Sequence, residues 1–436
     1  MTDSNRTSTL AASDRRHLWH PFTPMESWCD PSREMIVLEK GAGARLWDTE
    51  GRTYLDGNAS IWTNIHGHSH PRIIKAVTDQ MQRLAHSSFL GYTNEPAIRL
   101  GERLTGLFPD GTLDRVFYSD DGSTAIECAV KMAIQYWQLE GQPERSTFIA
   151  FSGAYHGDTM GAAALGGIDT FHGRFKKLGF PVFHLANADE LDQLAPEIRQ
   201  TVAGVAIEPL IQGAAGMKRW PSGMLSDLRR WCDREGVFLL LDEVMTGFGR
   251  TGSLFACEQE NVIPDFMALA KGLTGGVLPL AATLTTERVF KAFLGPIEAH
   301  KTFYYGHSYC GNAAGCAAAL ASLDLFDEEA TLTHLPEKIA TLSACLEALK
   351  EACPVVGDTR QCGLIAGIDI VKNRETGEAR PWNELTGARI CEAARAHGLL
   401  TRPIRDTLVF MPPLCITPNE IGEAFTAFVK AIEEVA

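Results

Sequence analysis

Between about residue 115 and residue 285 the chain alternates between two patterns. Short apolar runs of strand length, Arg115–Ser119, Thr147–Phe151, Val202–Ile207, Val237–Leu241, Phe266–Ala270 and Leu280–Leu284, are separated by stretches whose apolar residues recur every three or four positions. The alternation predicts an α/β fold, strands of a mostly parallel sheet joined by helices. Val237–Leu241 carries no polar position, so both of its faces are expected to be covered. After the first run, Asp120 to Thr124 is a predicted turn, and Ile126, Ala129, Val130, Ala133, Ile134 and Trp137 then form one continuous helical stripe. Beyond about Asp327 the pattern changes to long amphipathic helices with short strands near Gly363–Ile370 and Thr407–Met411, a smaller α+β unit. The expected division is a large domain over 65–326 and a small domain over 327–436, which the segment 1–64 joins.

The apolar runs share one feature: each leads into polar residues at its C-terminal end. In open α/β sheets ligands bind just outside those ends. Five strands therefore aim Ser123, Tyr155, Glu208, Asp242 and Lys271 at one edge.

Composition narrows the partners. Lys+Arg total 40 against 54 Asp+Glu, a net charge of −14 with no basic block, which argues against a nucleic-acid partner. No apolar run approaches the ~18 residues of a membrane helix. Met1–Arg16 is polar and lacks the apolar core of a secretory signal, so it is expected to fray. Eleven scattered cysteines, an odd count without a C-x-x-C pair, point to reduced thiols and a cytoplasmic protein, each thiol a small buried hydrophobe.

A few residues carry chemistry. Lys271 ends a buried strand, where lost solvation lowers an amine's pKa and frees it as a nucleophile, and the glycines that follow leave room for a planar group. The plain alternative is a lysine snorkelling to the surface. Asp242 ends a run too apolar to hold a carboxylate without a partner; it could equally be a helix cap or half of a structural ion pair. Together the two match the parts that pyridoxal phosphate demands, a Schiff-base lysine and a carboxylate for the pyridinium nitrogen. Gly122-Ser123-Thr124, between strand and helix, suits a phosphate or serves only as a cap. Tyr155 can stack on a flat cofactor or belong to the core. His66, His68 and His70 alternate, but no carboxylate or cysteine pattern accompanies them, so no metal is expected. Gly306-His307-Ser308-Tyr309-Cys310 nearly spells a nucleophile elbow, which leaves a serine hydrolase as a second enzyme class.

The stretch from Leu241 to Gly252, Leu-Asp-Glu-Val-Met-Thr-Gly-Phe-Gly-Arg-Thr-Gly, with Lys271 downstream, strongly resembles the class III pyridoxal-phosphate aminotransferases. The resemblance runs from about Leu18 to the C-terminus. It also includes Leu18–Thr23, Ile61-Trp62 with His66-Gly67, Ala154–Thr159, Thr401–Pro403 and Met411–Pro413. It implies fold type I: a large mixed, mostly parallel sheet domain with a smaller α+β domain, acting as a homodimer. Lys271 would hold the cofactor as a Schiff base and move the substrate proton. Asp242 would pair with the ring nitrogen, Gly122 and Ser123 would hold the phosphate, and Tyr155 would stack on the ring, with His156 and Glu208 close by. Ser308 would reach the phosphate of the neighbouring subunit. Arg402 would grip the far carboxylate of a keto acid whose methylene chain runs past Trp62 and Phe22.

Two places depart from the family pattern. Met245 replaces the usual glutamine, and Gly306-His307-Ser308 replaces Gly-Pro-Thr. Within the family the chain is similar to the branch that aminates 8-amino-7-oxononanoate; a general ω-amino acid or diamine:pyruvate aminotransferase is the alternative. The donor in that branch is S-adenosylmethionine or, in a sub-branch, lysine. Phe22 and Val409 stand where users of S-adenosylmethionine commonly carry tyrosines, and Thr302–Tyr309 and Asp406–Pro413 resemble the lysine users. The expectation therefore leans to lysine.

Overall fold

The structure, a computed structural model, describes residues 3–436. Its centre is a seven-stranded sheet whose strands, numbered within the sheet in chain order, are β1 (Arg115–Ser119), β2 (Thr147–Phe151), β3 (Val182–Leu185), β4 (Val202–Ile207), β5 (Phe238–Asp242), β6 (Phe266–Leu269) and β7 (Ala281–Thr285). Their spatial order is β1-β7-β6-β5-β4-β2-β3. Neighbours are parallel except β7, which runs antiparallel to both β6 and β1. The connection from β6 to β7 holds only the 3₁₀ turn Lys271–Thr274, too little for the crossover a parallel return needs. The six predicted strands all form, β5 and β7 each one residue later than expected. β3 was not predicted: it is a four-residue edge strand, half-buried over most of its length, and so carries no apolar run.

Helix Gly122–Leu139 follows β1 and starts in a capping box, Asp121 accepting from the Thr124 N–H while the Thr124 hydroxyl faces the Asp121 N–H. The predicted stripe buries Ile126, Ala129, Val130, Ala133 and Trp137, with Ile134 at its half-buried margin. Trp137 pins the helix to the sheet by donating its indole N–H to the Ala203 carbonyl at 3.0 Å.

The strands Leu38–Ala42, Arg45–Asp48 and Thr53–Asp56 form an antiparallel meander. Thr53–Asp56 also pairs in parallel with Leu399–Leu400, Leu55 opposite Leu399 and Asp56 opposite Leu400. A second sheet in the C-terminal part joins Val356–Cys362, Ile365–Asn373, Thr407–Phe410 and Pro403–Ile404, with helices Leu335–Ala352 and Thr386–Ala396 packed against it.

The expectation that the first sixteen residues fray is corrected for the described ones: Asp3–His17 is a helix. Its polar sequence gives no apolar stripe, but Arg6 pairs with Glu39 at 2.6 Å, the Thr7 and Thr49 hydroxyls meet at 2.8 Å, and Ala11 is buried. Those contacts with later residues fix it. Among the described residues no helix is long and apolar enough to cross a membrane.

Candidate active site

The carboxyl ends of β1, β2, β4, β5 and β6 open on one cavity of about 500 Å³. Ser123, Tyr155, Glu208, Asp242 and Lys271 all line it, and so do Gly122, His156 and Trp62. The single edge inferred from the polar strand ends is thus a real concavity.

Lys271 follows β6 after the single residue Ala270 and adopts φ +46°, a left-handed backbone that a residue with a side chain rarely takes. It is half-buried, and its Nζ lies 4.9 Å from the centre of the Trp62 ring. No carboxylate of the described residues comes within 4 Å of it. Burial pushes its ammonium below the ordinary lysine range, and the Asp242 and Glu208 carboxylates pull it only part of the way back. A surface lysine is excluded by this placement.

Asp242 is buried at the last position of β5. Its Oδ2 lies 2.8 Å from Nδ1 of buried His156, and its Oδ1 accepts the Val244 N–H at 3.1 Å. Burial disfavours the imidazolium of His156, yet the Asp242 carboxylate outweighs it and raises the His156 pKa above the ordinary value. His156 Nε2 has no partner among the described residues. Burial also lifts Glu208 to about 7, with His156 opposing. Glu208 accepts the N–H groups of Tyr155 at 3.1 Å and Gly213 at 2.9 Å, so it holds the β2 loop over the cavity.

At the start of helix Gly122–Leu139 two glycines are dictated by space. A Cβ on Gly122 would stand 2.6 Å from Val244 Cγ1, and one on Gly157, at φ +120°, 2.3 Å from Ser123 Oγ. Ser123 Oγ meets the Thr159 hydroxyl at 2.8 Å and accepts the Thr159 N–H at 2.9 Å. Free N–H groups at the N-terminus of an 18-residue helix, beside hydroxyls and under glycines, can receive a phosphate. The buried carboxylate, the amine without an ion-pair partner and this cradle fit pyridoxal phosphate.

Tyr155 stacks one face on His172, with centroids 5.6 Å apart at 26°, and donates its hydroxyl to Asp158 at 2.6 Å. Burial raises its pKa. Met245 is buried at the cavity wall, and a Cβ on Gly213 would stand 2.5 Å from its sulfur.

A second cavity of about 190 Å³ adjoins the first and shares Trp62, Tyr155 and Lys271 with it. The rest of its wall is Phe22, Ile61, Phe171, Ala214, Ile404, Val409 and Arg402. Apart from Lys271, Arg402 is the only charged group among the described residues that line it, and no carboxylate of the described residues lies within 4 Å of the guanidinium.

Trp62 and Ile61 come from a turn that the sequence pattern did not reveal. Ala59, Ser60, Ile61 and Trp62 have φ of 43°, 50°, 68° and 66°, four successive non-glycine residues in the left-handed region. At roughly 1–2 kcal/mol per residue such a turn persists only where its surroundings impose it.

Ser308 is exposed on a loop and lines neither cavity of its own chain. No strand leads directly into it, so the nucleophile-elbow alternative lacks its strand–turn–helix geometry. His66, His68 and His70 take separate partners, Ser322, Asp56 and Glu329. Among the described residues no three His, Cys, Asp or Glu side chains converge as a metal site. Sequence reasoning missed Thr159, Asp158 and His172 at this site; only the Gly-Asp-Thr run after His156 carried any signal for them.

Residues 29–432 match the family model described as aminotransferase class-III. A protein of Geobacter sulfurreducens named adenosylmethionine-8-amino-7-oxononanoate aminotransferase is 47% identical, the match covering 98% of each chain. One of the same name from Aquifex aeolicus is 43% identical over 98% of each. The crystal structure of the Methanocaldococcus jannaschii protein of that name superposes with a TM-score of 0.94 at 39% identity, over 98% of this chain and 99% of that one. An (S)-enantioselective omega-transaminase from Thermomicrobium roseum gives 0.92 at 32% identity, over 98% of both.

Proposed function

The chain belongs to the class III aminotransferases, enzymes that use pyridoxal phosphate, and from that premise we propose that it transfers an amino group to 8-amino-7-oxononanoate to give 7,8-diaminononanoate in biotin biosynthesis. The observation that carries the substrate is Arg402: a guanidinium without an ion-pair partner in an otherwise apolar cavity that receives Lys271. That is the complement of a long apolar chain with a carboxylate at one end and a carbonyl at the other. The names of the relatives from Geobacter and Aquifex support the same acceptor.

Lys271 Nζ would hold the cofactor covalently and afterwards serve as the base that moves the proton between the substrate carbon bearing the amino group and the cofactor. Its depressed pKa keeps a larger fraction neutral for both tasks. Asp242 would pair its negative charge with the cofactor ring nitrogen, and His156 fixes which way that carboxylate faces. Gly122 and Ser123 hold the phosphate, and Tyr155 bounds the ring. Bound there, pyridoxal phosphate supplies the carbonyl that captures an amine and the ring that accepts the electron pair left when the Cα proton departs. Arg402 orients the acceptor by its far carboxylate, while Trp62 and Phe22 keep water from its methylene chain.

The donor is S-adenosylmethionine, as in the names of the relatives; lysine, toward which the local sequence leans, is the other arm of its test. The working form is a homodimer with Ser308 directed at the partner's phosphate site. Leu90, Tyr92, Tyr304 and Tyr309 support this as large exposed side chains on two segments that meet where His86 packs on Tyr309 with ring centroids 5.0 Å apart. The enzyme works in the cytoplasm, in keeping with its eleven unpaired cysteines. Residues 65–326 make the large domain, and 1–64 complete the small one with 327–436, as the pairing of Thr53–Asp56 with Leu399–Leu400 suggests.

Complementation tests the acceptor: the gene should restore growth of a biotin auxotroph that lacks this transamination. Failure, with good activity on β-alanine and pyruvate, would favour a general ω-amino acid or diamine:pyruvate aminotransferase. Mixing the cofactor-loaded enzyme with each donor alone and following the visible spectrum decides between S-adenosylmethionine and lysine. Light scattering on the loaded enzyme decides the dimer, which a fully active monomer would contradict.

A further inference from the structure

Trp62 reaches both cavities from a turn whose backbone is disfavoured, so groups outside the turn must impose its shape. Buried Asp56, which lines neither cavity, makes the contacts that can do so. Its Oδ1 accepts the Asn58 N–H at 3.1 Å, and its Oδ2 accepts the Ser60 hydroxyl at 3.0 Å. The same Oδ2 lies 2.8 Å from His68 Nε2, and the other nitrogen of that ring faces Asn64 Nδ2 at 3.2 Å. One carboxylate therefore grips the chain before the turn, within it and after it. Asn58, held by Asp56, accepts the Trp62 indole N–H at 2.9 Å, so the grip extends to the ring.

We propose that Asp56 is a positioning residue for the acceptor site: it holds Ala59–Trp62 left-handed and thereby sets the Trp62 ring against Lys271 and the apolar cavity. The proposal rests on the assignment of that cavity to the keto acid. Asp56→Asn keeps the shape and halves the accepting capacity. A glycine at position 60 takes a left-handed φ without penalty, and Ser60 is exposed, so Ser60→Gly removes no packing. It should do intrinsically what Asp56 does by contact.

The test uses the cofactor-loaded enzyme and two readouts, amide hydrogen exchange over 58–64 and the split between KM and kcat. In Asp56→Asn we expect exchange at 62–64 at least tenfold faster, with β5 unchanged, and KM for the keto acid raised five- to tenfold while kcat stays within twofold. Adding Ser60→Gly should return both to within about twofold of the parent. If Asp56→Asn does not fold, Ser60→Ala, which deletes one surface hydroxyl, should move both readouts the same way by two- to fivefold. Unchanged exchange and KM in either single variant would overturn the proposal, as would a double variant that recovers neither. Trp62→Ala separates the two levels: if it leaves KM unchanged, the cavity assignment has failed; if it raises KM while Asp56→Asn does not, only the positioning role has.

Discussion

His156 Nδ1 stands 2.8 Å from Asp242 Oδ2, and neither side chain is exposed beyond a few per cent. A carboxylate this deep keeps its charge only with partners, and the imidazole, whose pKa it raises, is the main one. Asp242→Asn retains the size and deletes the charge. A charge-assisted contact of this kind is worth roughly 1.5–3 kcal/mol, so we expect the amino-transfer rate with either donor to fall about ten- to a hundredfold. Single-turnover spectroscopy measures it, and an unchanged rate would remove Asp242 from the cofactor.

Lys271→Ala should abolish transamination, because anchor and base are the same amine. Borohydride should label the parent at Lys271 and leave the variant unlabelled. Since only the neutral amine attacks a carbonyl, cofactor capture by the parent apoenzyme should rise with pH and level off below the ~10.4 of a free lysine. A plateau at or above that value would contradict the burial of Nζ.

Arg402→Ala removes the lone guanidinium from the apolar cavity. The KM for the keto acid should rise about ten- to a hundredfold, roughly 1.5–3 kcal/mol, with little change in kcat. Steady-state kinetics at saturating donor reads this directly. A loss confined to kcat would place Arg402 at the reacting atoms instead.

His66 is buried on Phe326, its Nε2 3.2 Å from the Ser322 hydroxyl. Burial, reinforced by His70, lowers its pKa to about 4, so the folded protein refuses a proton that the unfolded chain accepts below about 6.5. Its stabilising contribution is complete above pH 6.5 and is lost as pH falls towards 4, by roughly 3 kcal/mol over the whole range. The stability gap between the parent and His66→Gln should therefore narrow from pH 7 to pH 5, followed by urea unfolding. A gap independent of pH would mean that His66 titrates normally.

Much of this was legible in the chain, for a physical reason. Strands buried on both faces must be apolar throughout, so the first polar residue after each run marks the sheet edge, and Asp242 and Lys271 stand there. Arg402 was legible through the Thr401-Arg402-Pro403 stretch that carries part of the family resemblance. The edge strand Val182–Leu185 was not, because half of its surface is wet and its sequence is free to vary. Nor was the turn at Ala59–Trp62: it contains no glycine, and its handedness is imposed by Asp56, His68 and Asn58 rather than by its own residues. The helix Asp3–His17 escaped notice for the same reason, being fixed by Glu39 and Thr49 from outside.

The parallel pairing of Leu55 with Leu399 and of Asp56 with Leu400 has a consequence for synthesis on the ribosome. The strand that ends in Asp56 emerges early but has no neighbour on one side until residue 400 has been made. At roughly 5–20 residues per second that wait is about 20 to 70 seconds, during which the meander keeps an open edge. Nascent chains interrupted before residue 400 should thus expose that edge to chaperones and proteases, and the wall that carries Trp62 is completed only near the close of translation.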